Sequence, residues 1–179
     1  MKITKTKIAD AYIIKHDPHT DERGSFCRVF CKNELQAAGL CGDMVQANIS
    51  ANIKRGTLRG LHSQQSEFAE DKLVTCIRGS IFDVCADVRK DSPTYKQWVG
   101  LELSESNGYA LYVPKGCAHG YLSLTDDTHV LYFVSEFYVA SSEVGYKWDD
   151  PAFGIDWATH ATPPYTISDK DMSWQPISE

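Results

Sequence analysis

One arginine and one histidine lie close together in a short apolar run, Gly56-Thr57-Leu58-Arg59-Gly60-Leu61-His62. An imidazole exchanges protons near neutral pH, and a guanidinium binds anionic oxygen atoms. Arg59 and His62 are three residues apart, so they face opposite ways in an ideal strand. Gly60 is a natural place for a bulge that turns one of them round, so that both serve one site. The alternative for such a histidine is a packed, hydrogen-bonded core group.

A second histidine follows a tight turn. Pro114 and Gly116 predict a corner, after which His119 begins the next strand. Residues 108–119 resemble the second motif of the cupin superfamily, whose fold is a double-sheet jelly roll. In metal-binding cupins this histidine is a ligand, but the earlier segment here offers only His62, followed by serine and glutamine. A metal site needs three or four ligands, and this set is not complete here, so we expect no metal ion.

Short strands separated by turn residues fill most of the chain. They are predicted within residues 2–15 and at 25–30, 44–50, 56–62, 73–77, 81–88, 98–103, 110–113, 120–124 and 130–137. Many short strands with almost no helix predict an all-β antiparallel sandwich or barrel. The tail from Trp148, rich in aspartate, proline and aromatic residues, is predicted to wrap over this barrel.

The first third of the chain adds three local expectations. Residues 16–24 are polar and predict a loop, and residues 32–38 predict the one clear helix, which Gly39 ends. Residues 44–50 alternate between apolar and polar types, which puts Gln46 and Asn48 on one strand face.

Size and composition narrow the class of protein. The 179 residues predict a single domain, 1–179, and the net charge of -6 argues against a nucleic-acid or anionic-membrane partner. A basic start followed by an apolar run is absent, as is any run of 18 apolar residues, so we expect a cytoplasmic protein. The six cysteines are scattered and are expected to be free thiols.

A longer series of motifs is more specific. In chain order these are Arg23-Gly24, Gly56-x-Leu58-Arg59-Gly60-Leu61-His62, Lys72-Leu73-Val74, Arg78-Gly79, Phe82-Asp83-Val84, Asp87-x-Arg89, Ser92-Pro93-Thr94, Trp98-Val99-Gly100, Pro114-x-Gly116-x-Ala118-His119-Gly120, Trp148-Asp149-Asp150-Pro151 and Ile167-Ser168-x-Lys170-Asp171. Together they resemble the dTDP-4-dehydrorhamnose 3,5-epimerase family. The resemblance implies a cupin-type jelly-roll barrel with one or two short helices, acting without a cofactor, usually as a homodimer. It implies epimerisation of a nucleotide-linked 4-keto-6-deoxyhexose, expected to be dTDP-4-dehydro-6-deoxy-D-glucose converted to dTDP-4-dehydro-L-rhamnose.

Such a reaction needs three kinds of group. A proton beside a ketone is removed by an imidazole only if the enolate is stabilised where it forms, and inversion needs a proton donor on the other face. The resemblance implies that His62 is the base, that Asp171 orients it and that Lys72 stabilises the C4 oxyanion. It implies that Tyr132 is the donor.

Further positions match residues that hold the substrate. Arg59 and Arg23 suit a diphosphate, because a guanidinium makes forked, charge-assisted contacts. The resemblance adds Gln46 and Asn48 at the nucleotide, His119 near the sugar or its phosphate, Tyr138 stacked on the base, Glu143 near the ligand, and Lys170.

The sequence departs from the family pattern at several positions. Residue 28 is arginine where the family typically has glutamate, Ser63 replaces the usual tyrosine, and residues 66–71 lack the customary proline. A changed charge at a nucleotide pocket alters ligand preference. The alternatives are a mono-epimerase of another nucleotide-4-keto sugar, a ketoisomerase or metal enzyme on the same fold, and a sugar-nucleotide sensor without activity.

Overall fold

Strands make up most of the regular structure in the computed structural model, which describes residues 1–177. The elements are β1 Lys2–Lys5, β2 Tyr12–Lys15, β3 His19–Asp21, β4 Gly24–Phe26, α1 Lys32–Ala37, β5 Gln46–Asn52, β6 Leu58–Gln64, β7 Lys72–Arg78, β8 Ser80–Asp87, β9 Trp98–Ser104, β10 Tyr109–Val113, β11 Cys117–Ser123, β12 Thr128–Val134, β13 Glu143–Gly145 and α2 Asp169–Ser173. Short 3₁₀ turns occur at Ser66–Phe68 and Ala140–Ser142.

Two antiparallel sheets form the body of the fold. One has the strand order β1-β2-β10-β7-β12-β5 and the other β13-β6-β11-β8-β9, while β3 and β4 form a separate hairpin. Their facing sides share an apolar cluster that includes Val74, Leu111 and Val130 from the first sheet and Ile81 and Leu103 from the second. This is the all-β, double-sheet jelly roll that the sequence predicts.

The outer faces of both sheets are covered in part. On the second sheet, Phe82, Val84 and Ala86 of β8 pack under Phe153 and Trp157 from the C-terminal tail. Because the C-terminal tail covers this outer face, β8 carries apolar side chains on both faces instead of alternating apolar and polar residues. The predicted wrap of the tail from Trp148 is therefore confirmed.

α1 covers part of the first sheet in the same way. Leu35 and Leu40 pack with Ile14, Leu73 and Tyr112 in a separate apolar cluster. The helix is where the sequence predicts it, and Gly39 follows it with a positive φ of 76°, which a glycine adopts without strain.

β5 is an edge strand of the first sheet. Its polar side chains face the interior and its apolar side chains face outward, the reverse of an ordinary edge strand. Its polar side chains at 46, 48 and 50 are partly buried toward the interior, whereas Ala47, Ile49 and Ala51 are exposed. Ile49 is 62% exposed, and Ile53 beyond the strand is 84% exposed. The outer face of β5 is thus an uncovered apolar surface.

One predicted loop was wrong, two predicted strands have other bounds, and two short elements were not predicted. Residues 16–24 are not one loop, because β3 and β4 pair there, and the strand predicted at 25–30 ends at Phe26. α2 and β13 were not predicted, since five and three residues are too short for a periodic pattern. The strand predicted at 130–137 runs instead over Thr128–Val134.

Two compositional features can be located. Within residues 1–177, no helix combines the length and the apolar character that crossing a bilayer requires. The six cysteines all lie in this part of the chain and are free, and Cys76, Cys85 and Cys117 are buried.

Candidate active site

Two adjoining cavities of about 320 and 360 Å³ lie between the sheets. We call them the inner and the outer cavity, and together the cleft. Side chains of His62, Lys72 and Tyr132 line both, so these three groups stand where the two cavities meet. Arg59, His119, Lys170 and Asp171 are among the other residues of the inner cavity, and Gln46, Asn48, Tyr138 and Glu143 are among those of the outer cavity.

The predicted bulge at Gly60 is present. β6 pairs with β11 in the register His62 with His119 and Arg59 with Tyr121, and the register shifts between these pairs. The extra residue on β6 turns Arg59 and His62 to the same cavity although they are three apart. Gly60 has φ +110°, and a Cβ there would lie 2.6 Å from Gly120 Cα. Only glycine fits both requirements.

Replacing Gly60 by alanine is therefore expected to destabilise the protein by about 2–4 kcal/mol, because strained backbone and a backbone clash combine. Urea unfolding measures the loss. Gly24→Ala is the matched control: its φ is +122°, but nothing lies within 4 Å of the added Cβ. An equal loss in the two variants would show that the approach to Gly120 is unimportant.

His62 is held by a buried carboxylate. Its Nε2 lies 2.6 Å from Asp171 Oδ1, and Gly60 N donates to Asp171 Oδ2 at 3.3 Å. Burial pushes the pKa of Asp171 up, but the hydrogen bond and charge of His62 outweigh it, so the pKa lies below its usual value. An ionised Asp171 accepts the Nε2 proton, which leaves His62 Nδ1 with the free lone pair that a base needs.

α2 brings Asp171 to this position. Ser168 caps the helix by accepting a hydrogen bond from Asp171 N at 3.1 Å. Trp174, just after the helix, packs so closely on Gly145 of β13 that a Cβ there would lie 2.0 Å from the indole. Its ring also meets His62 edge-on at 6.5 Å between centroids. A five-residue helix is thus fixed by side chains at both ends.

Lys72 begins β7 and is mostly buried. Its Nζ lies 2.8 Å from Glu70 Oε1, and the exposed fractions of the two side chains are 12% and 7%. The start of the strand is fixed by Asp71, whose Oδ1 accepts a hydrogen bond from Lys115 N at 3.2 Å. Lys72 therefore supplies a positive charge at a defined point of the cleft.

Tyr132 of β12 is half-buried and faces the cleft between β5 and β7. Burial raises the pKa of Tyr132, the carboxylate of Glu70 raises it further, and Arg59 opposes both effects. The phenol therefore keeps its proton at neutral pH, as a proton donor must.

A second histidine–carboxylate pair lies at the inner cavity, which His119 lines and behind which Asp83 is buried. His119 Nε2 lies 2.7 Å from Asp83 Oδ1, and Asp83 is completely buried. Burial raises the pKa of Asp83, and His119 counteracts part of this effect. Beside the pair, Arg59 Nε donates to Asn52 Oδ1 at 2.9 Å, which leaves its terminal nitrogens available for an anion.

The outer cavity is lined by polar and aromatic groups. Gln46 Nε2 donates to Asn48 Oδ1 at 3.0 Å, so the two side chains lie together as predicted. Across from them, the Tyr138 hydroxyl donates to Glu143 Oε2 at 2.6 Å and Lys170 Nζ donates to the same oxygen at 2.5 Å. Tyr138 is 56% exposed, so its ring face is open to a flat ligand.

Arg23 is the one residue of the predicted set that this chain does not bring to its own cleft. It lies on the exposed β3–β4 hairpin and pairs with Asp21 of the same hairpin. Arg28 is also exposed and pairs with Glu34 of α1 at 3.3 Å. Ser63, in contrast, is buried and lines the outer cavity.

Sequence reasoning missed several residues that line the cleft or contact its histidines. Asp83 had a usable signal, because an aspartate inside an apolar run is expected to have a buried partner. Gln64 and Trp174 had none, since Gln64 is held by Phe137 and Trp174 packs on Gly145, both distant in the chain. Glu70 had none either, because its partner Gln64 is placed by that distant contact.

The arrangement offers a complete set for proton transfer beside a carbonyl group: a histidine with a free lone pair, a fixed ammonium and a protonated phenol around one space. Cationic and aromatic groups flank this set, as binding of a nucleotide diphosphate requires.

Comparison with known proteins gives a consistent result. The profile of a family described as dTDP-4-dehydrorhamnose 3,5-epimerase matches residues 5–179. The dTDP-4-dehydrorhamnose 3,5-epimerase of Methanothermobacter thermautotrophicus is 43% identical over 178 residues, which covers 99% of this chain and 95% of that protein.

Solved structures agree in fold. The crystal structure of the Bacillus anthracis dTDP-4-dehydrorhamnose 3,5-epimerase with TDP and PPi bound has a TM-score of 0.93 and 39% identity, covering 98% of this chain and 99% of that one. The Legionella pneumophila dTDP-6-deoxy-D-glucose-3,5-epimerase, in complex with dTDP-4-keto-L-rhamnose, has a TM-score of 0.90 and 36% identity, covering 98% and 92%.

Proposed function

The chain belongs to the dTDP-4-dehydrorhamnose 3,5-epimerase family, and from this premise we propose how its residues share the reaction. The enzyme epimerises dTDP-4-dehydro-6-deoxy-D-glucose at C3 and C5 to give dTDP-4-dehydro-L-rhamnose. One observation carries the assignment of roles: His62, Lys72 and Tyr132 line the same junction between the two cavities.

His62 removes the proton. Its Nε2 is committed to Asp171, so Nδ1 takes the hydrogen from the carbon next to the C4 ketone. As the imidazole becomes positive, the buried carboxylate at 2.6 Å stabilises it. Asp171 therefore acts on the substrate only through His62.

Lys72 stabilises the enolate. When the proton leaves, negative charge gathers on the C4 oxygen. The ammonium of Lys72 is already fixed and mostly buried, so it stabilises this charge with little reorganisation. Tyr132 then gives its proton to the opposite face of the carbon, and the centre is inverted. His62 then loses its proton to solvent and the Tyr132 phenolate takes one up from solvent, so that the cycle acts once at C3 and once at C5.

The remaining predicted residues hold the substrate. Arg59 and His119 of the inner cavity bind the diphosphate and the neighbouring sugar oxygens, and Lys170 adds positive charge at the rim. In the outer cavity, Gln46 and Asn48 hydrogen-bond to the nucleotide, Tyr138 stacks on the base, and Glu143 fixes Tyr138 and Lys170.

Solvent exchange tests this function. Turnover of the dTDP sugar in deuterium oxide is expected to place deuterium at both C3 and C5 of the product, which NMR and mass spectrometry resolve. Deuterium at one carbon alone would identify a mono-epimerase, and absence of exchange with the dTDP sugar would contradict the assignment.

The enzyme acts as a homodimer in the cytoplasm. The uncovered apolar face of β5 supports association, and the unpaired cysteines suit a reducing compartment. We assign Arg23 to the diphosphate bound by the neighbouring chain, because its exposed hairpin does not line the cleft of its own chain.

Ile49→Lys is expected to give a monomer, because it puts a charge in the middle of that face. Light scattering measures the mass, and the Michaelis constant rises at the same time because the partner's arginine is lost. Ile77→Lys is the control, since Ile77 is exposed on β7, which β12 separates from β5. A monomeric wild-type protein would contradict the dimer.

A further inference from the structure

The reaction described above leaves one buried carboxylate of the cleft without a role. Glu70 is 8% exposed and lines the outer cavity, and its Oε1 lies 2.8 Å from Lys72 Nζ. A carboxylate is expensive to bury, so its partners have to satisfy both oxygens. In the described residues 1–177, the partners of its two oxygens are Lys72 and Gln64, which both line the outer cavity.

The second oxygen of Glu70 is bound to a buried amide. Gln64 Nε2 donates to Glu70 Oε2 at 3.0 Å and lies 3.1 Å from the carbonyl oxygen of Phe137, and Val139 N donates to Gln64 Oε1 at 2.6 Å. Gln64 thus joins Glu70 to the segment on either side of Tyr138. Its amide is fixed on both sides and cannot turn away from the carboxylate.

A negative group this close to Lys72 weakens the field that Lys72 exerts on an oxyanion. Its presence therefore needs a reason other than charge stabilisation. An ammonium has three donors and a flexible stem, and one donor is occupied by Glu70. The other two are then restricted to the directions left open, which lead into the cleft.

We propose that Glu70 is a positioning residue of this active site, which aims the ammonium of Lys72 at the C4 oxygen and, as a carboxylate lining the same cavity as Tyr132, disfavours the phenolate of that tyrosine. The proposal rests on the epimerase function assigned above. Glu70 acts through Lys72 and Tyr132 and does not itself react with the substrate.

The effect on Tyr132 depends on every charged group around it. Glu70 and Lys72 face it from β7 and the segment before it, Arg59 and His62 from β6, His119 from β11, Glu143 from β13, and Lys170 and Asp171 from α2. Burial is the first cause of the raised pKa of Tyr132, and Glu70 is the carboxylate that raises it further. Removing this negative charge lets the phenol ionise at a lower pH.

The test is Glu70→Gln, which keeps the shape of the side chain and removes the charge. We expect kcat to fall about tenfold and the alkaline limb of the kcat–pH profile to move about one unit toward lower pH. Glu67→Gln is the matched control, because Glu67 is an exposed glutamate in the same segment, where the lost charge is screened by solvent. Its pH profile stays at the wild-type position.

Two outcomes would overturn the proposal. One is a Glu70→Gln enzyme whose rate or melting temperature falls while the alkaline limb stays in place, since this is what a purely structural residue gives. The other is a Glu70→Asp enzyme with wild-type kcat, because the shorter carboxylate cannot reach both Gln64 and Lys72. The second variant keeps the charge and decides the matter if Glu70→Gln does not fold.

A readout without turnover separates this inference from the function itself. The absorbance of Tyr132 phenolate is obtained by subtracting the alkaline titration of Tyr132→Phe from that of the parent protein. The proposal expects this titration to shift to lower pH in Glu70→Gln and not in Glu67→Gln. Failure of the function would appear instead as absent exchange in the wild-type protein, with the spectroscopic shift preserved.

Discussion

Replacing Tyr132 by phenylalanine is expected to stop inversion while exchange with solvent continues. The base still removes the proton and returns one to the same face, so substrate recovered from deuterium oxide carries deuterium without a change of configuration. Loss of a general acid lowers the rate of epimerisation by about 10²–10⁴-fold. The ring remains in its half-buried site, so the fold is retained.

The measurement is NMR of both recovered substrate and product. Tyr109→Phe controls for the loss of a hydroxyl, because Tyr109 is an exposed tyrosine on β10 that lies against Lys15 and does not line the cleft. If Tyr132→Phe still produced the epimer at the wild-type rate, another group would have to be the donor.

Replacing His62 by glutamine is expected to abolish both processes together. An amide has no basic lone pair at neutral pH, so neither exchange nor inversion begins, and both rates fall by about 10²–10⁴-fold. The glutamine amide still donates to Asp171, which leaves this buried carboxylate partnered. Protection against thermal unfolding by TDP shows that the binding site is intact.

His129→Gln is the control for this variant. His129 lies on β12 outside the cleft and pairs with Asp127 at 3.2 Å, so its loss leaves the rate unchanged. Exchange that survives in His62→Gln would remove His62 from the role of base, and His119, the other histidine of the inner cavity, would be the next to test.

The central strands were predictable because their signals are local. Glycine spacing in residues 56–62 predicted the bulge that brings Arg59 and His62 together, and the alternation in residues 44–50 predicted the pairing of Gln46 with Asn48. The site roles came from the family resemblance, and the structure brings the four proposed catalytic side chains to one cleft. Their roles stay predictions until the variants are measured.

What the sequence could not show depends on distant contacts. An acidic loop before Lys72 is typical of a solvated surface, yet Glu70 is buried beside Lys72 and Gln64, and Gln64 is in turn held by the distant Phe137 and Val139. α2 is too short for a helical period, and its position follows from Trp174 packing on Gly145. The hairpin with Arg23 has no strand-like composition, and nothing local indicates which cleft it serves.

β5 turns its polar side toward the outer cavity and its apolar side outward. A single strand therefore separates the outer cavity from the surface on which a second copy is proposed to sit. Ligand binding and subunit association both act on β5, so the two equilibria are thermodynamically linked. The free energy by which association favours ligand binding equals the free energy by which ligand binding favours association. Dilution of the enzyme is then expected to weaken substrate binding, and removal of the substrate is expected to weaken association of the subunits.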